Sequence, residues 1–339
     1  MGRQWEMREH VTEFMHMVRT MLLEVAQQRS RPFLLAARVP QTVEGCRADG
    51  FDLQAWAEQQ LVDVLTLGSR SMDVDVEGVR AIVGDDVQLQ PCFDDHHATD
   101  GYRYASIEVL RGVFANHFQR GANSVVTFNW SMVMPELAKS VGGEVAPLTH
   151  QVAFQEIGDP ATMAGKDKVF AVERRGGYPW ADGFFNRNDT ASLPLQLNAE
   201  NKSVKFTLHI SDTRPADDKA ATLTLRIVMF EAAAEETFEI RFNGTVLSVS
   251  ATDAEWKDSQ IFSPAKQSAS VGKGIYKTHP KQKLLRLDHD VPLDAWKSGP
   301  NEVAIRVASD RTVAQIEKIE AQLKYAQGEK ETSNQSGEK

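Results

Sequence analysis

Two carboxylates and two imidazoles follow one another where an apolar run ends, at Asp94, Asp95, His96 and His97. The residues before them, 87–93, have the composition of a buried strand. Charged side chains bunched at the end of a strand are costly to bury and contribute little to packing. In α/β folds the carboxyl ends of parallel strands are where active sites are built. This segment is therefore the best candidate in the sequence for a site that does chemistry.

Two other interpretations of the same cluster stay open. An aspartate-capped turn would leave both histidines at the surface. A metal-dependent hydrolase would use His96 and His97, because imidazole and carboxylate are common ligands of zinc and iron. Contiguous residues rarely converge on one ion, however, and no spaced second cluster is evident, so we expect no metal and no other cofactor.

The elements around the cluster alternate between strands and helices. Helical periodicity over 8–28 places Val11, Phe14, Met15, Val18, Leu22 and Val25 on one stripe. Apolar strands are predicted at 33–39, 61–67, 87–93 and 124–130, with helices near 53–59, 76–83 and 107–120 between them. The last of these helices ends before Gly121, a typical capping residue. Near-continuous apolar strands separated by helices predict a parallel sheet buried on both faces.

Two folds could contain such a sheet, a doubly wound sheet and a (β/α)8 barrel. The lack of a glycine-rich phosphate turn argues against the first, and polar residues gather after all four strands, which is the barrel pattern. A barrel needs eight strands, so we expect residues 1–140 to form the second half of one, with the first four βα units missing. A compact four-stranded α/β sheet is the alternative.

The remainder of the chain predicts an antiparallel β-sandwich. Residues 141–200 are rich in Gly, Asp and Pro and are interpreted as a connecting segment. Alternating strands then fill 201–326, and Asn243-Gly244 between two of them is a strong hairpin signal. Residues 327–339 have a composition typical of a disordered tail.

The composition of the chain argues against several classes of protein. The net charge of −9 argues against a nucleic-acid or anionic-lipid surface. Two cysteines, Cys46 and Cys92, cannot form a disulfide framework for 339 residues, and no apolar stretch reaches the length of a membrane span. No signal peptide is evident at the amino terminus. A missing half would have carried any such signal, so a periplasmic or extracellular location is compatible with the sequence, which does not fix the compartment.

With these motifs placed, roughly residues 1–180 resemble the glycosyl-hydrolase-like, family-ten-like barrel proteins found in planctomycete and related bacterial genomes. The resemblance rests on residues 37–40 (Ala-Arg-Val-Pro), 63–65 (Asp-Val-Leu), 92–97 (Cys-Phe-Asp-Asp-His-His), 111–116 (Arg-Gly-Val-Phe-Ala-Asn), 121–122 (Gly-Ala) and 127–130 (Thr-Phe-Asn-Trp). The carboxy-terminal part looks like a galactose-binding-like sandwich, from 242–244 (Phe-Asn-Gly) and 299–303 (Gly-Pro-Asn-Glu-Val).

The resemblance implies a carbohydrate partner and cleavage of glycosidic bonds by two carboxylates. Its proton donor would lie after the fourth barrel strand, in the part this chain lacks. Asp94 and Asp95 point to opposite sides of a strand, and we favour Asp94 as the inward nucleophile or base. Substrate contacts are predicted for Arg38, Arg70, His96, His97, Tyr102, Asn129 and Trp130. A non-catalytic carbohydrate-binding protein is the alternative, in which Trp256 and Trp296 of the sandwich could stack on sugars or belong to its core. The oligomeric state is not predicted.

Overall fold

The computed structural model describes residues 2–68, 71–94, 101–102, 104–128, 130, 148–174, 191–198, 203–213, 221–233, 238–258, 261, 283–307 and 314–326. Its first part contains a four-stranded parallel sheet in the order β1-β2-β3-β4. The strands are β1 (Ala36–Val39), β2 (Val64–Leu67), β3 (Gln88–Asp94) and β4 (Val126–Phe128). The prediction of four consecutive parallel strands is confirmed.

Seven helices accompany these strands in the described ranges: α1 (Arg8–Arg29), α2 (Val43–Asp49), α3 (Leu53–Glu58), α4 (Val76–Val83), α5 (Ile107–Gln119), α6 (Leu148–Glu156) and α7 (Pro160–Met163). Thr42, Asp52 and Asp75 precede α2, α3 and α4, and each accepts a hydrogen bond from the backbone N–H three residues later. Such N-caps satisfy a donor that the helix itself leaves unpaired, so these starts are set locally. Gly121 follows α5 at φ 100°, as its position after the predicted helix suggests.

The helices cover one face of the parallel sheet. Leu65, Leu67 and Leu89 on that face form one core with side chains of α1 to α4, and Phe93 packs with α5. The strands follow one another in sequential order with α1 to α5 on one face, whereas a doubly wound sheet would carry helices on both faces. The sheet is therefore singly wound, and the four described strands form an open sheet.

The second face of the sheet is only partly covered, which corrects the prediction of burial on both faces. Ala36, Arg38 and Gln88 on this face are exposed, and Thr66 and Gln90 are half-buried. The sequence predicted two buried faces because the residues on the helix side of each strand are strongly apolar. The polar residues that alternate with them are too few to reveal an exposed face. Arg38 lies within one of the predicted apolar strands and is exposed because its side chain is on this second face.

Helix α1 buries one side and exposes another. Met15 is buried, Trp56 of α3 donates its indole N–H to Thr12, and Arg19 forms a bidentate ion pair with Asp63 at 2.6 and 3.0 Å. Phe14, predicted to share the buried stripe, is instead 59% exposed. It lies on the opposite side of the helix from the α3 contact.

The second part of the chain consists of two antiparallel sheets, and the prediction of an antiparallel β-region is confirmed. One sheet has the order β10-β9-β13-β7, and the other runs β11-β12-β8-β14-β5 with β6 paired to β14. Their bounds are β5 (Lys168–Ala171), β6 (Leu195–Leu197), β7 (Ser203–Ile210), β8 (Ala221–Phe230), β9 (Phe238–Phe242), β10 (Thr245–Leu247), β11 (Val249–Trp256), β12 (Leu284–Val291), β13 (Gly299–Val307) and β14 (Ala314–Tyr325). One apolar core, with residues from both sheets, joins them into a sandwich.

The predicted hairpin between β9 and β10 is present. Asn243 and Gly244 both have positive φ, 48° and 86°, and Phe242 pairs with Thr245 across the turn. Two successive positive φ values match the twist of the flanking strands, which is why Asn-Gly is favoured there.

Strands β5 and β6 lie within 141–200, the segment interpreted from the sequence as a connection, and both pair with β14. Strand β5 also packs closely against α5. A Cβ atom at Gly112 would lie 2.0 Å from the Val169 carbonyl oxygen, so only glycine permits this approach.

No helix in the described ranges is long and apolar enough to cross a membrane.

Candidate functional site

Asp94 ends β3 at the carboxyl edge of the parallel sheet, where the sequence predicts a site. It is fully buried and pairs in register with Phe128 of β4. Cys92 pairs with Val126 two residues earlier. Alternate residues of a strand share a face, so Asp94 and Cys92 lie on the face away from the helices. The prediction that this side of Asp94 faces the axis of a barrel stays a prediction.

The same face carries Arg38, whose guanidinium carbon lies 4.6 Å from the centre of the Phe128 ring. The registers place Arg38 level with Gln90, and Phe128 level with Asp94. In a flat sheet the Cα atoms of Arg38 and Phe128 would be roughly 19 Å apart, three strand spacings across and four residues along. That is further than the two side chains together can reach. The contact therefore requires the sheet to curl toward this face.

Cys92 lies on the same face, and its thiol is influenced by both charged groups. Burial raises the pKa of the Cys92 thiol to about 12, Arg38 lowers it, and Asp94 raises it. A thiol with so high a pKa holds no thiolate at neutral pH and is a poor nucleophile. Cys92 therefore behaves as a small apolar residue, and the chemistry of this face falls to the carboxylate and the guanidinium.

Five of the predicted site residues lie outside the described residues: Arg70, Asp95, His96, His97 and Asn129. Their roles stay predictions. Among the residues that the structure does describe, no group of three or more His, Cys, Asp or Glu side chains is arranged to hold a metal ion.

Tyr102 is buried where the first part of the chain meets the sandwich. Its hydroxyl donates to Glu320 at 2.9 Å, and the Lys318 ammonium lies 4.6 Å from the centre of its ring. Lys318 also donates to the carbonyl of Gly101 at 3.0 Å and to Asp258 at 2.7 Å. Gly101 and Tyr102, which follow the Asp-Asp-His-His motif in the sequence, thus bind to β14. These contacts bring the sandwich to the carboxyl edge of the parallel sheet.

Trp130 is also buried, and it packs on the helix side. Its ring stacks on His150 at 4.7 Å and lies 5.5 Å from Phe154. Its indole N–H donates to the backbone carbonyl of Phe93 at 3.2 Å. This bond fixes the end of β3 beside Asp94, so Trp130 has a positioning contact next to the candidate carboxylate, and its predicted sugar contact stays a prediction.

A buried carboxylate that the sequence did not single out ties the two parts together. Glu173 accepts hydrogen bonds from the Ser71 hydroxyl at 2.6 and 2.8 Å and from the Met72 backbone N–H at 2.9 Å. Its neighbour Arg174 forms a buried pair with Glu317 at 2.6 Å. A sequence separation of about 100 residues hides such a contact from any local pattern.

Next to Glu173 a cavity of about 490 Å³ separates the helices from the sandwich. Its polar lining includes Asp73, Glu77, Arg120, Glu173, Thr207 and His209. Arg120 pairs with Asp73 and lies 3.7 Å from Glu77. These ion pairs neutralise part of the acidic wall, so the cavity is polar with both signs of charge.

Behind this wall, His117 of α5 is completely buried. Neither ring nitrogen has a hydrogen-bond partner within the described part of the chain. Burial, and next the nearby Arg120, lower the pKa of His117 to about 3, opposed by Asp73. The imidazole is therefore neutral at physiological pH.

A second cavity, of about 450 Å³, lies beside Lys168, Asp212 and Tyr325. The Lys168 ammonium donates to the carbonyls of Met163 and Lys166 and to Asp212, at 2.6 to 3.0 Å. Tyr325 donates to the same carboxylate at 2.9 Å. Since all three ammonium protons are used, this cluster anchors the end of β14.

The two tryptophans of the sandwich have different surroundings. Trp296 is 3% exposed and belongs to the sandwich core. Trp256 is half-buried, with the guanidinium carbons of Arg286 and Arg226 at 4.5 and 5.5 Å from its ring. Trp296 is thus enclosed by packing, and Trp256 is held against two arginines.

Comparison with known proteins gives little. The sequence matches no family model and no curated protein. Among solved structures, a β-porphyranase of glycoside hydrolase family 86 from the human gut bacterium Bacteroides plebeius is 11% identical, with a TM-score of 0.26. The alignment covers 96% of this chain and 75% of that enzyme.

Proposed function

We propose that the chain is a glycosidase-like, carbohydrate-active protein in which Asp94 supplies a carboxylate at the mouth of a barrel-type sheet. The observation that carries the proposal is the buried Asp94 carboxylate, at the carboxyl end of a parallel strand on a face that curls toward Arg38. Residues 1–140 would be half of a (β/α)8 barrel and residues 201–326 the sandwich beside its mouth.

The chemistry expected of this site follows from the carboxylate. Glycoside hydrolysis needs one carboxylic acid to protonate the leaving oxygen and one carboxylate as nucleophile or base, about 5 to 10 Å apart. Asp94 takes the second role, and Arg38 binds a hydroxyl or stabilises the anion. Asp95, His96, His97, Arg70 and Asn129 would line the same edge of the sheet.

A panel of oligosaccharides, assayed for hydrolysis and binding, tests this proposal. Asp94→Asn keeps the size of the side chain and removes its charge, so we expect loss of hydrolysis with folding retained. Asp73→Asn is the matched control, because Asp73 follows the neighbouring strand but lines the helix-side cavity. Hydrolysis that is equal in the wild type and in Asp94→Asn contradicts the proposal.

One observation favours a second candidate, carbohydrate binding without cleavage. Within the described part of the sheet face away from the helices, Asp94 is the one carboxylate, and the other polar side chains are Arg38, Thr66, Gln88 and Gln90. Amides, a hydroxyl and a guanidinium bind sugar hydroxyls but do not protonate a leaving group. Binding that survives in Asp94→Asn, with no hydrolysis in either protein, identifies this candidate.

A further inference from the structure

Both outer edges of the parallel sheet are open as far as the described residues show. No strand in the described ranges pairs with the outer side of β1 or of β4. An open edge presents a row of unpaired backbone N–H and C=O groups, which can bind another strand. Both edges belong to the same curled, parallel sheet. The backbone groups on the outer edge of β1 in one copy can therefore form hydrogen bonds with those on the outer edge of β4 in another copy.

Apolar side chains are exposed beside the β1 edge. Met7, just before α1, and Phe14, Met17 and Met21 on α1 form a stripe whose residues are exposed by 47 to 63%. Phe33 and Leu34, just before β1, are exposed by 40 and 65%. We call these six residues the α1 stripe; each is a large apolar residue at least 40% exposed, and groups of such residues are uncommon on the surface of a typical monomer. Such a patch marks an interaction surface.

The other edge has an exposed aromatic of its own. Phe154 on α6, the helix that follows β4 in the described part of the chain, is 60% exposed. In a parallel sheet wound in one direction, the helix after one strand packs beside the helix before the next. A β4 strand placed against β1 would therefore bring Phe154 toward the α1 stripe.

We propose that two copies of this chain associate about a two-fold axis, with β1 of each copy pairing with β4 of the other, to close an eight-stranded parallel barrel. The occupant is a second copy because one four-stranded sheet supplies both complementary edges, and two-fold closure leaves neither edge open. Among the described strand residues, each copy also brings Arg38 and Asp94 to the enclosed face, so these two charges are opposite in sign.

The dimer would also complete the site, and this part of the inference rests on the proposed function. In an eight-stranded barrel the third strand of each copy lies opposite the other, and the interior is only wide enough for side chains. The two Asp94 residues would then lie on opposite strands at the mouth of the barrel. Carboxylates separated by a barrel width match the wide spacing of inverting glycosidases rather than the about 5 Å of retaining ones.

The mass of the full chain in solution tests the association. Light scattering after gel filtration is expected to give twice the 37.7 kDa of one chain. Met17→Glu places a charge in the α1 stripe and is expected to raise the dimer dissociation constant at least tenfold. Leu23→Glu is the matched control: Leu23 is 57% exposed on the same helix, about 120° around from Met17, and the change should leave the dimer intact.

Two results overturn the proposal, a wild-type monomer at every concentration tested and a dimer that Met17→Glu leaves unchanged. The hydrolysis assay of Asp94→Asn is read separately. A dimer whose hydrolysis does not depend on Asp94 refutes the proposed function and leaves the association standing, whereas an active monomer refutes the association alone.

Discussion

The guanidinium carbon of Arg38 lies 4.6 Å from the centre of the Phe128 ring, although β2 and β3 separate their strands. The contact joins side chains of the two outer strands on the face away from the helices. The contact therefore reports how strongly the sheet curls. It also stabilises the curled sheet to which Asp94 belongs.

A double-mutant cycle on Arg38→Ala and Phe128→Leu measures this contact. At exposed sites a cation–π pair contributes about 0.5–1 kcal/mol, and we expect a coupling of that size in urea unfolding. Arg38→Ala combined with Phe51→Leu, on the helix side of the sheet, should be additive. A coupling energy of zero in the first cycle would show that the Arg38 and Phe128 side chains are not in contact in solution.

Gly112→Ala should destabilise the protein by about 1–3 kcal/mol, since the new methyl group would overlap the Val169 carbonyl and push β5 away from α5. Gly158→Ala is the control, because a Cβ atom there meets no atom within 4 Å. Denaturant midpoints compare the two variants. Equal midpoints would mean that α5 and β5 are not in close contact.

His117 should make the protein acid-sensitive. The pKa of folded His117 is about 3, below the about 6.5 of an unfolded histidine. The unfolded state therefore takes up the proton first, and stability falls as the pH drops from about 6.5 toward 3, by up to about 1.4 kcal/mol per pH unit. At higher pH this contribution is fully present.

The variant His117→Leu keeps an apolar side chain in the site and removes both unpaired nitrogens. Unfolding free energies between pH 7 and pH 4 should show a smaller slope than the wild type. His10→Leu, at an exposed position of α1, should leave the slope unchanged. If both variants follow the wild-type curve, His117 is accessible to protons in the folded state.

Glu173→Ala should cost about 1–3 kcal/mol, because the Ser71 hydroxyl and the Met72 N–H lose their acceptor in a buried site. Glu302→Ala is the control. It removes an ion pair between the side chains of Lys205, 68% exposed, and Glu302, 45% exposed, and exposed pairs contribute little to stability. Thermal unfolding is the measurement. Similar losses in the two variants would mean that water reaches Glu173.

The sequence by itself determined the elements whose signals are local. The N-caps at Thr42, Asp52 and Asp75 and the turn at Asn243-Gly244 act over two to four residues, so their effect is present in any such segment. The alternation of apolar strands and helices determined the parallel order of β1 to β4 and the position of Asp94 at a strand end.

Only the tertiary structure decided which surfaces are covered. An apolar run is equally compatible with one buried face or two, so it could not reveal that Arg38 is exposed while Leu65 is buried. Nor could it reveal that Glu173 accepts from Ser71, or that Lys318 donates to Gly101. Those contacts join residues more than 100 positions apart, and they depend on how the sandwich packs against the sheet rather than on any local preference of the chain.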